Sequence, residues 1–289
     1  RQTPRENDSV NSVWMCDYGR LNFHYVNSPE RLTKPRVRLG SGQEDASWTS
    51  AIARAIDDLR RFKGDEIALI ASGKMSNEEL WLTKKLIEAL DIKYHDIVPH
   101  VGESDDILLS SVRNPNLIGA HLLGVAQEEP GKLLPEIFQR VQAGSIKAVL
   151  ALSEDLMNAG LTTDDLEKLE AFILLDILPN RTSAYATTLL PGYSFAEKRG
   201  SMVNIKGRLQ RLNRAVHGPG EARDDWEILR DLLQKLTGSN GVYLIEDVFK
   251  QMAEGIPQLH GLSLSKIGDL GIQLEDKDVQ TGTPENIHV

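Results

Sequence analysis

Hydrophobic positions along the chain alternate between helical spacing and short unbroken runs. Behind Ser47, residues Trp48, Ile52, Ala55, Ile56 and Leu59 recur at helical spacing, which predicts an amphipathic surface helix from Trp48 to about Phe62. The apolar run EIALIASG at 66–73 then reads as a strand closed by glycine. Ser76 caps a following helix that reaches Leu90. The same grammar returns in a helix at 133–143 before the strand KAVLALSEDL at 147–156, and in a helix at 163–170 leading to the strand FILLDILP at 172–179. Short, fully apolar strands alternating with helices predict an α/β fold, a doubly wound and mostly parallel sheet covered on both faces.

On either side of this centre the rhythm is lost. Residues 1–45 are rich in Asn, Pro, Gly and Arg and read as an irregular arm ending in the flexible polar stretch LGSGQEDAS. The first residue is not Met and the opening has no turn or cap, which reads as a fragment or a trimmed chain. After residue 180, TTLLPG at 187–192 and the glycine-punctuated stretch behind it read as short extended segments and turns. A helix at 224–238 stops at Gly238, a further helix lies near 244–254, and a polar tail from about 273 is expected to fray. Three units follow: an arm at 1–45, an α/β domain at 46–240 and an extension at 241–289.

Composition narrows the function classes. With 289 residues, 40% hydrophobic and 26% charged, the chain is an ordinary globular one of one large or two modest domains. Thirty-three Lys and Arg against 42 Asp and Glu give a net charge of −9, which argues against nucleic acid as a partner. No apolar run approaches a membrane span and the start is polar, so neither membrane insertion nor export is expected. The single cysteine, Cys16, can form no internal disulfide, which fits a reducing cytoplasmic compartment.

Candidate chemistry is sparse. Ser72, Gly73 and Lys74 follow a buried strand and precede a helix, where backbone N–H groups can cradle phosphate. A Walker loop would need Gly at 68 and Ser or Thr at 75, whereas Ala68 and Met75 stand there, so the commoner reading is a loop without ligand. GYSFA at 192–196 imitates a nucleophile elbow around Ser194 but lacks the last glycine and the immediate helix, so Ser194 reads as a structural loop residue. The seven histidines (His24, His95, His100, His121, His217, His260 and His288) fall in no zinc-binding spacing. Glu197, Lys198 and Arg199 with Lys206, Arg208, Arg211 and Arg214 form a basic stretch beside glycines, able to meet an anion or an acidic partner but more commonly a solvated face. Cys16 stands between Trp14, Met15, Asp17 and Gly19; a thiolate can ligate iron, although composition alone favours a buried structural thiol.

Four blocks carry a resemblance. VNSVWMCDYGR followed by YVNSPERLTKPRVR resembles the stretch that holds the last 4Fe-4S ligand in the large iron–sulfur subunit of NADH-quinone oxidoreductase. This is the 75 kDa-type subunit of respiratory complex I, a family related to the molybdopterin oxidoreductases. SWTSAIARAIDDLRRF is similar to its helix after the cluster domain, IALIASGKMSNEELWLTKKL to its strand, loop and helix, and LPGYSFAEKRGSMVNIKGRLQR, trailed by PGEARDDWEIL, to its late block. The resemblance covers about residues 1–236. It implies that Cys16 is the final thiolate of a 4Fe-4S cluster, with the other three outside this chain and Trp14, Asp17 and Arg20 as neighbours. Residues 1–45 would then be a remnant of the cluster domain and its linker.

It further implies that Glu197, Gly200, Asn204, Gly207 and Arg208 occupy the region lining the pterin cofactor in molybdenum relatives. The cysteine motif and late block lie fewer than 200 residues apart, so a central catalytic portion looks deleted and no molybdenum site is expected. The implied role is a scaffold without catalytic residues, passing electrons from NADH and FMN toward quinone. Its partners would be the other subunits of the NADH dehydrogenase arm, at the cytoplasmic periphery of the inner membrane. A formate dehydrogenase or hydrogenase subunit is the redox alternative; a nucleotide-binding or interaction module with Cys16 idle is the other.

Overall fold

The computed structural model describes residues 2–105 and 107–275; the expected fraying tail falls largely outside them. Ten α-helices, three short 3-10 helices and ten strands are assigned within these residues. In chain order they begin with α1 (Asp17–Leu21), β1 (Arg36–Leu39), β2 (Gly42–Asp45), α2 (Trp48–Leu59), β3 (Ile67–Ser72), α3 (Asn77–Leu90) and β4 (Tyr94–Val98). There follow α4 (Leu117–Leu122), α5 (Leu134–Gln142), β5 (Ala148–Leu152), α6 (Leu156–Ala159), α7 (Thr163–Glu167), β6 (Ala171–Asp176) and β7 (Thr188–Pro191). The last are β8 (Gly200–Val203), β9 (Arg208–Leu212), α8 (Asp225–Thr237), α9 (Ile245–Gly255), α10 (Leu264–Ile267) and β10 (Ile272–Gln273).

The main sheet has seven strands in the order β2-β1-β7-β6-β5-β3-β4. From β7 to β4 neighbouring strands are parallel, and β1 and β2 add an antiparallel hairpin at one edge. The fold is the expected α/β arrangement. Strand alternation sorts its core into two layers. Leu69, Leu150 and Ile173 face the side covered by α2, α3, α8 and α9, whereas Ile70, Val149 and Phe172 face Ile137 and Val141 of α5. Both layers are dry, since these strand residues are fully buried.

The helix signals act locally as the sequence suggests. The hydroxyl of Ser47 accepts the Ser50 N–H at the start of α2. At α3, Ser76 and Glu79 form a capping box, the Ser76 hydroxyl accepting the Glu79 N–H while the Glu79 carboxylate accepts the Ser76 N–H. Gly238 ends α8 at φ +71°, a left-handed conformation that suits glycine.

Four segments differ from expectation. The stretch LGSGQEDAS is no flexible linker: it forms the β1–β2 hairpin, pairing Arg36 with Asp45 and Leu39 with Gly42. Thr188–Pro191 belongs to the parallel sheet beside β6, although the sequence reading separates it from the α/β centre. The edge strand β4 and helix α4 have no counterpart in the sequence reading. A separate three-stranded sheet, β10-β9-β8, accounts for the glycine-punctuated stretch.

Candidate functional site

Strand order reverses between β3 and β5: β4 lies on one side of β3, and the chain then returns to lay β5, β6 and β7 on the other. Such a switch point leaves a crevice outside the carboxyl ends of the strands, the usual ligand position in open α/β sheets. Here a cavity of about 660 Å³ opens at that edge. Lys74 enters it from the loop after β3, Ser153 from the end of β5, Asp176 and Ile177 from β6, and Tyr193, Ser194 and Phe195 from the loop after β7. Tyr18, Gly19 and Asn22, on and just after α1, form a facing wall.

The walls carry mixed charge. Lys74, Arg113 and Lys198 bring cations to the crevice. Asp176 brings the countercharge, and its burial raises its pKa to about 6 against the stabilising Ile177 N–H and the charge of Lys74. Its Oδ1 accepts the Ile177 N–H at 2.7 Å and its Oδ2 accepts from the Asn180 amide at 2.7 Å. Ser153 holds a left-handed backbone at φ +59°, uncommon for a residue with a Cβ, and donates its N–H to Leu175 O at 2.7 Å. The Ser194 hydroxyl is buried without a hydrogen-bond partner. No base therefore activates it, and a serine nucleophile has no support.

Lys74 also borders a second hollow of about 450 Å³, on the side of β4. In it the His100 Nε2 lies 2.8 and 3.0 Å from the two oxygens of Glu154, whose side chain is 3% exposed. Lys74 is thus the residue common to the two cavities.

The other sequence candidates scatter. The Ser72 hydroxyl is buried and accepts the Lys74 N–H at 3.2 Å. Gly73 is packed so closely on Asn114 that an added Cβ would lie 2.6 Å from that side chain, so its open face is filled by protein. Gly200 similarly abuts Glu78 and Ser76. Asn204 accepts the N–H groups of Lys206 and Arg208 across the β8–β9 turn, which Gly207 completes at φ +75°. Arg208 donates to the carbonyls of Leu270 and Gly271. Glu197 lies behind the crevice wall, paired in two-pronged fashion with Arg31 at 2.9 and 2.7 Å, both side chains 2% exposed.

Cys16 is half-buried at the start of α1, and its side chain makes no capping hydrogen bond there. Its Sγ would lie 3.9 Å from a Cβ added at Gly19, which borders the crevice. Arg20 and Asp17 pair at 2.6 Å beside it.

A buried polar seam joins the late block to α3. The Lys198 Nζ lies 2.9 Å from Glu79 Oε1 and 3.3 Å from Asp225 Oδ2. Asn116 donates to Asn77 Oδ1 and Met75 O and accepts the Val203 N–H. Glu78 accepts the Ser201 N–H and hydroxyl at 2.8 and 2.9 Å, yet its burial raises its pKa to about 7. A carboxyl raised on folding contributes stability that is full below its unfolded pKa and is lost as pH rises through the folded value. Glu78→Gln, which keeps the shape, is therefore expected to stabilise the protein by up to about 3 kcal/mol at pH 8 and to change little at pH 4.5, read by urea unfolding at the two pH values. Equal effects at both would contradict this account.

Comparison with known proteins bears on this geometry. The family model described as molybdopterin oxidoreductase matches residues 117–235. The chain is 32% identical over 163 residues to F420-dependent formate dehydrogenase 2 subunit alpha of Methanococcus maripaludis, covering 54% of this chain and 24% of that protein. It is 34% identical over 131 residues to the NADPH-Fe(3+) oxidoreductase subunit alpha of Geobacter sulfurreducens, covering 44% and 16%. These matches support the molybdopterin oxidoreductase family.

An assimilatory nitrate reductase catalytic subunit of Bacillus subtilis is 29% identical over 163 residues, 51% of this chain and 23% of that protein. Among solved structures, acetylene hydratase from Pelobacter acetylenicus superposes with a TM-score of 0.55 at 10% identity, covering 98% of this chain and 72% of that one, a likeness of fold alone. The chain spans about a sixth to a quarter of the length of the curated relatives it matches. These relatives are formate dehydrogenase, NADPH-Fe(3+) oxidoreductase and nitrate reductase subunits and do not point specifically to complex I, and the expectation of no molybdenum site finds no support in the matches. No helix among the described residues is long and apolar enough to cross a membrane.

Proposed function

We propose that this chain is the α/β portion of the large iron–sulfur subunit of a multi-subunit oxidoreductase. In the NADH-quinone oxidoreductase setting, Cys16 gives one thiolate to a 4Fe-4S cluster and the body scaffolds electron transfer from NADH and FMN toward quinone. The observation that carries this reading is the setting of Cys16. It stands free of side-chain capping at the start of α1, among the exposed apolar side chains of Val13, Trp14, Tyr18 and Leu21, a surface suited to burial against another protein. A cubane takes four ligands, whereas this chain has one cysteine and the described residues hold no group of three or more His, Cys, Asp or Glu able to bind a metal. The chain alone does not fit the cluster. Three ligands come from elsewhere in the assembly, and other subunits of the dehydrogenase arm hold it peripheral to the membrane.

Within this reading the chain's own residues position and exclude water. Arg31 and Glu197 clamp the arm that carries Cys16 to the loop after β7, and α1 closes one wall of the crevice. In the native assembly, Cys16→Ser is expected to abolish or markedly shift one 4Fe-4S signal in electron paramagnetic resonance while the subunit remains assembled. An unchanged spectrum would overturn the assignment.

A second reading, a formate-linked oxidoreductase subunit, is favoured by the crevice itself. Lys74, Arg113 and the unpartnered Ser194 hydroxyl are the donor set that a phosphate-bearing pterin cofactor would need, although Gly73 and Gly200 are closed by protein. Such a cofactor would supply a two-electron redox centre. Lys74 and Arg113 would neutralise its phosphate, and Ser194 would fix its orientation. Stoichiometric molybdenum or tungsten in the purified assembly would support this reading; NADH-quinone activity without either metal would support the first.

A further inference from the structure

Two carboxylate oxygens of the buried polar seam lack a hydrogen-bond partner, Glu79 Oε1 and Asp224 Oδ1, on side chains 0% and 1% exposed. They come from different elements, α3 and the residue that precedes α8, and Glu79 is the strongest charge acting on Asp224. We propose that Asp224 and Glu79 share one proton, an O–H on Asp224 donating to Glu79, and that this proton is a pH-sensitive fastening for the crevice wall, whatever the crevice binds.

The balance of charge calls for that proton. Asp224 faces Glu79 of α3, Asp225 of α8, Lys198 of the loop after β7 and Arg214 from the stretch after β9. Lys198 is committed to the other two acids: its Nζ donates to Glu79 Oε2 at 3.0 Å and to Asp225 Oδ2 at 3.3 Å. Arg214 reaches Asp224 Oδ2 only at 3.5 Å, and its side chain is 40% exposed. Three buried carboxylates thus meet one buried ammonium, and an uncompensated charge in a dry interior is relieved by taking up a proton. One proton placed between neighbouring carboxylates ends their repulsion and employs both orphaned oxygens, one as donor and one as acceptor. Burial and Glu79 accordingly raise Asp224 to about 8. The seam also holds the crevice wall. Asp225 Oδ1 accepts the Tyr193 N–H at 2.9 Å, and Lys198 belongs to the same loop, whose Tyr193, Ser194 and Phe195 line the crevice. Opening the loop to water returns Asp224 to an ordinary carboxyl that gives up its proton. The fastening is therefore full below the ordinary carboxyl pKa and is lost as pH rises through about 8.

The test is hydrogen exchange of the full chain, read by mass spectrometry on peptides covering the loop after β7 and corrected for intrinsic pH dependence, together with the infrared absorption of protonated carboxyls at pH 7. Protection of that loop is expected to fall from pH 6 to pH 8. The fall is expected to be at least fivefold smaller in Asp224→Asn, whose amide keeps the shape and donates to Glu79 without a titrating proton. Part of the protonated-carboxyl absorption is expected to vanish in Asp224→Asn, and that part to persist in Glu78→Gln. Glu79→Gln, which sets a donor on the opposite member, should flatten the exchange profile alike and guards against a folding defect peculiar to position 224. Asp58→Asn, at a buried acid paired with Arg54 at 2.8 Å, is expected to change neither measurement. A water bridging the two oxygens would leave both acids ionised and the infrared absorption unchanged in Asp224→Asn. That result, or a fall in protection as steep in both variants as in the parent chain, overturns the proposal.

Discussion

Arg31→Met is expected to destabilise the protein by roughly 3–5 kcal/mol, because it leaves the Glu197 carboxylate buried without its partner. The guanidinium does more than pair with that acid: its Nε donates to Ile177 O at 3.1 Å, its Nη1 to Val26 O at 2.7 Å and its Nη2 to Gly192 O at 3.5 Å, so three carbonyls also lose a donor. Glu197 in turn accepts the Ser194 N–H at 2.7 Å, which ties the pair to the loop lining the crevice. The double substitution Arg31→Met with Glu197→Met is expected to be less destabilising than the two single changes added together, since it removes both charges at once. Urea unfolding of the four proteins closes the cycle. An additive result would show that the two side chains are not coupled.

The second large effect belongs to Lys198→Met. Burial opposes the charge on Lys198, but attraction from Asp225, Glu79 and Asp224 outweighs it and holds the ammonium protonated. One cation cannot compensate three carboxylates. Asp224, whose nearest cation is Arg214 at 3.5 Å, is raised by burial and by Glu79 to about 8. Removing the ammonium is expected to destabilise by about 3–5 kcal/mol at pH 8, where the remaining acids must ionise or take up protons. At pH 5 the acids are protonated more easily, and the loss should be less than half as large. The sign follows from linkage: carboxyls raised by folding stabilise most at low pH and lose that contribution as pH climbs through their folded values. Denaturant curves at pH 5 and 8 check it, and an equal loss at both would mean that the acids do not depend on Lys198.

The sequence was most legible where burial is symmetrical. β3, β5 and β6 are unbroken apolar runs because both faces of each strand are covered, and Ser76 with Glu79 marks the start of α3 by a local hydrogen-bond pattern. Edges defeated the same reasoning. β4 includes Tyr94, His95 and Asp96, while β1 and β2 carry Arg36, Arg38, Glu44 and Asp45, charges that blunt a sheet edge and make the segment resemble a linker. β7 is four residues long and ends in Pro191, too short to show a period.

At the site, the loop position of Lys74 was readable because it follows a buried strand and precedes a capped helix. Asp176 was missed, although an acid closing the apolar run FILLD is a usable signal. The partnership of His100 with Glu154 spans 54 residues, and that of Arg31 with Glu197 spans 166. Neither leaves a local trace, so only the folded chain reveals that Glu197 anchors the arm behind the crevice wall.

The position of Lys74 between two hollows has a thermodynamic consequence. An anion seated in either one draws on the same ammonium, so the two compartments are linked through a shared electrostatic resource. Occupancy of one by a negatively charged molecule should weaken the other's grip on a second such molecule by the same factor in both directions. Neutralising that single side chain should make the two behave independently.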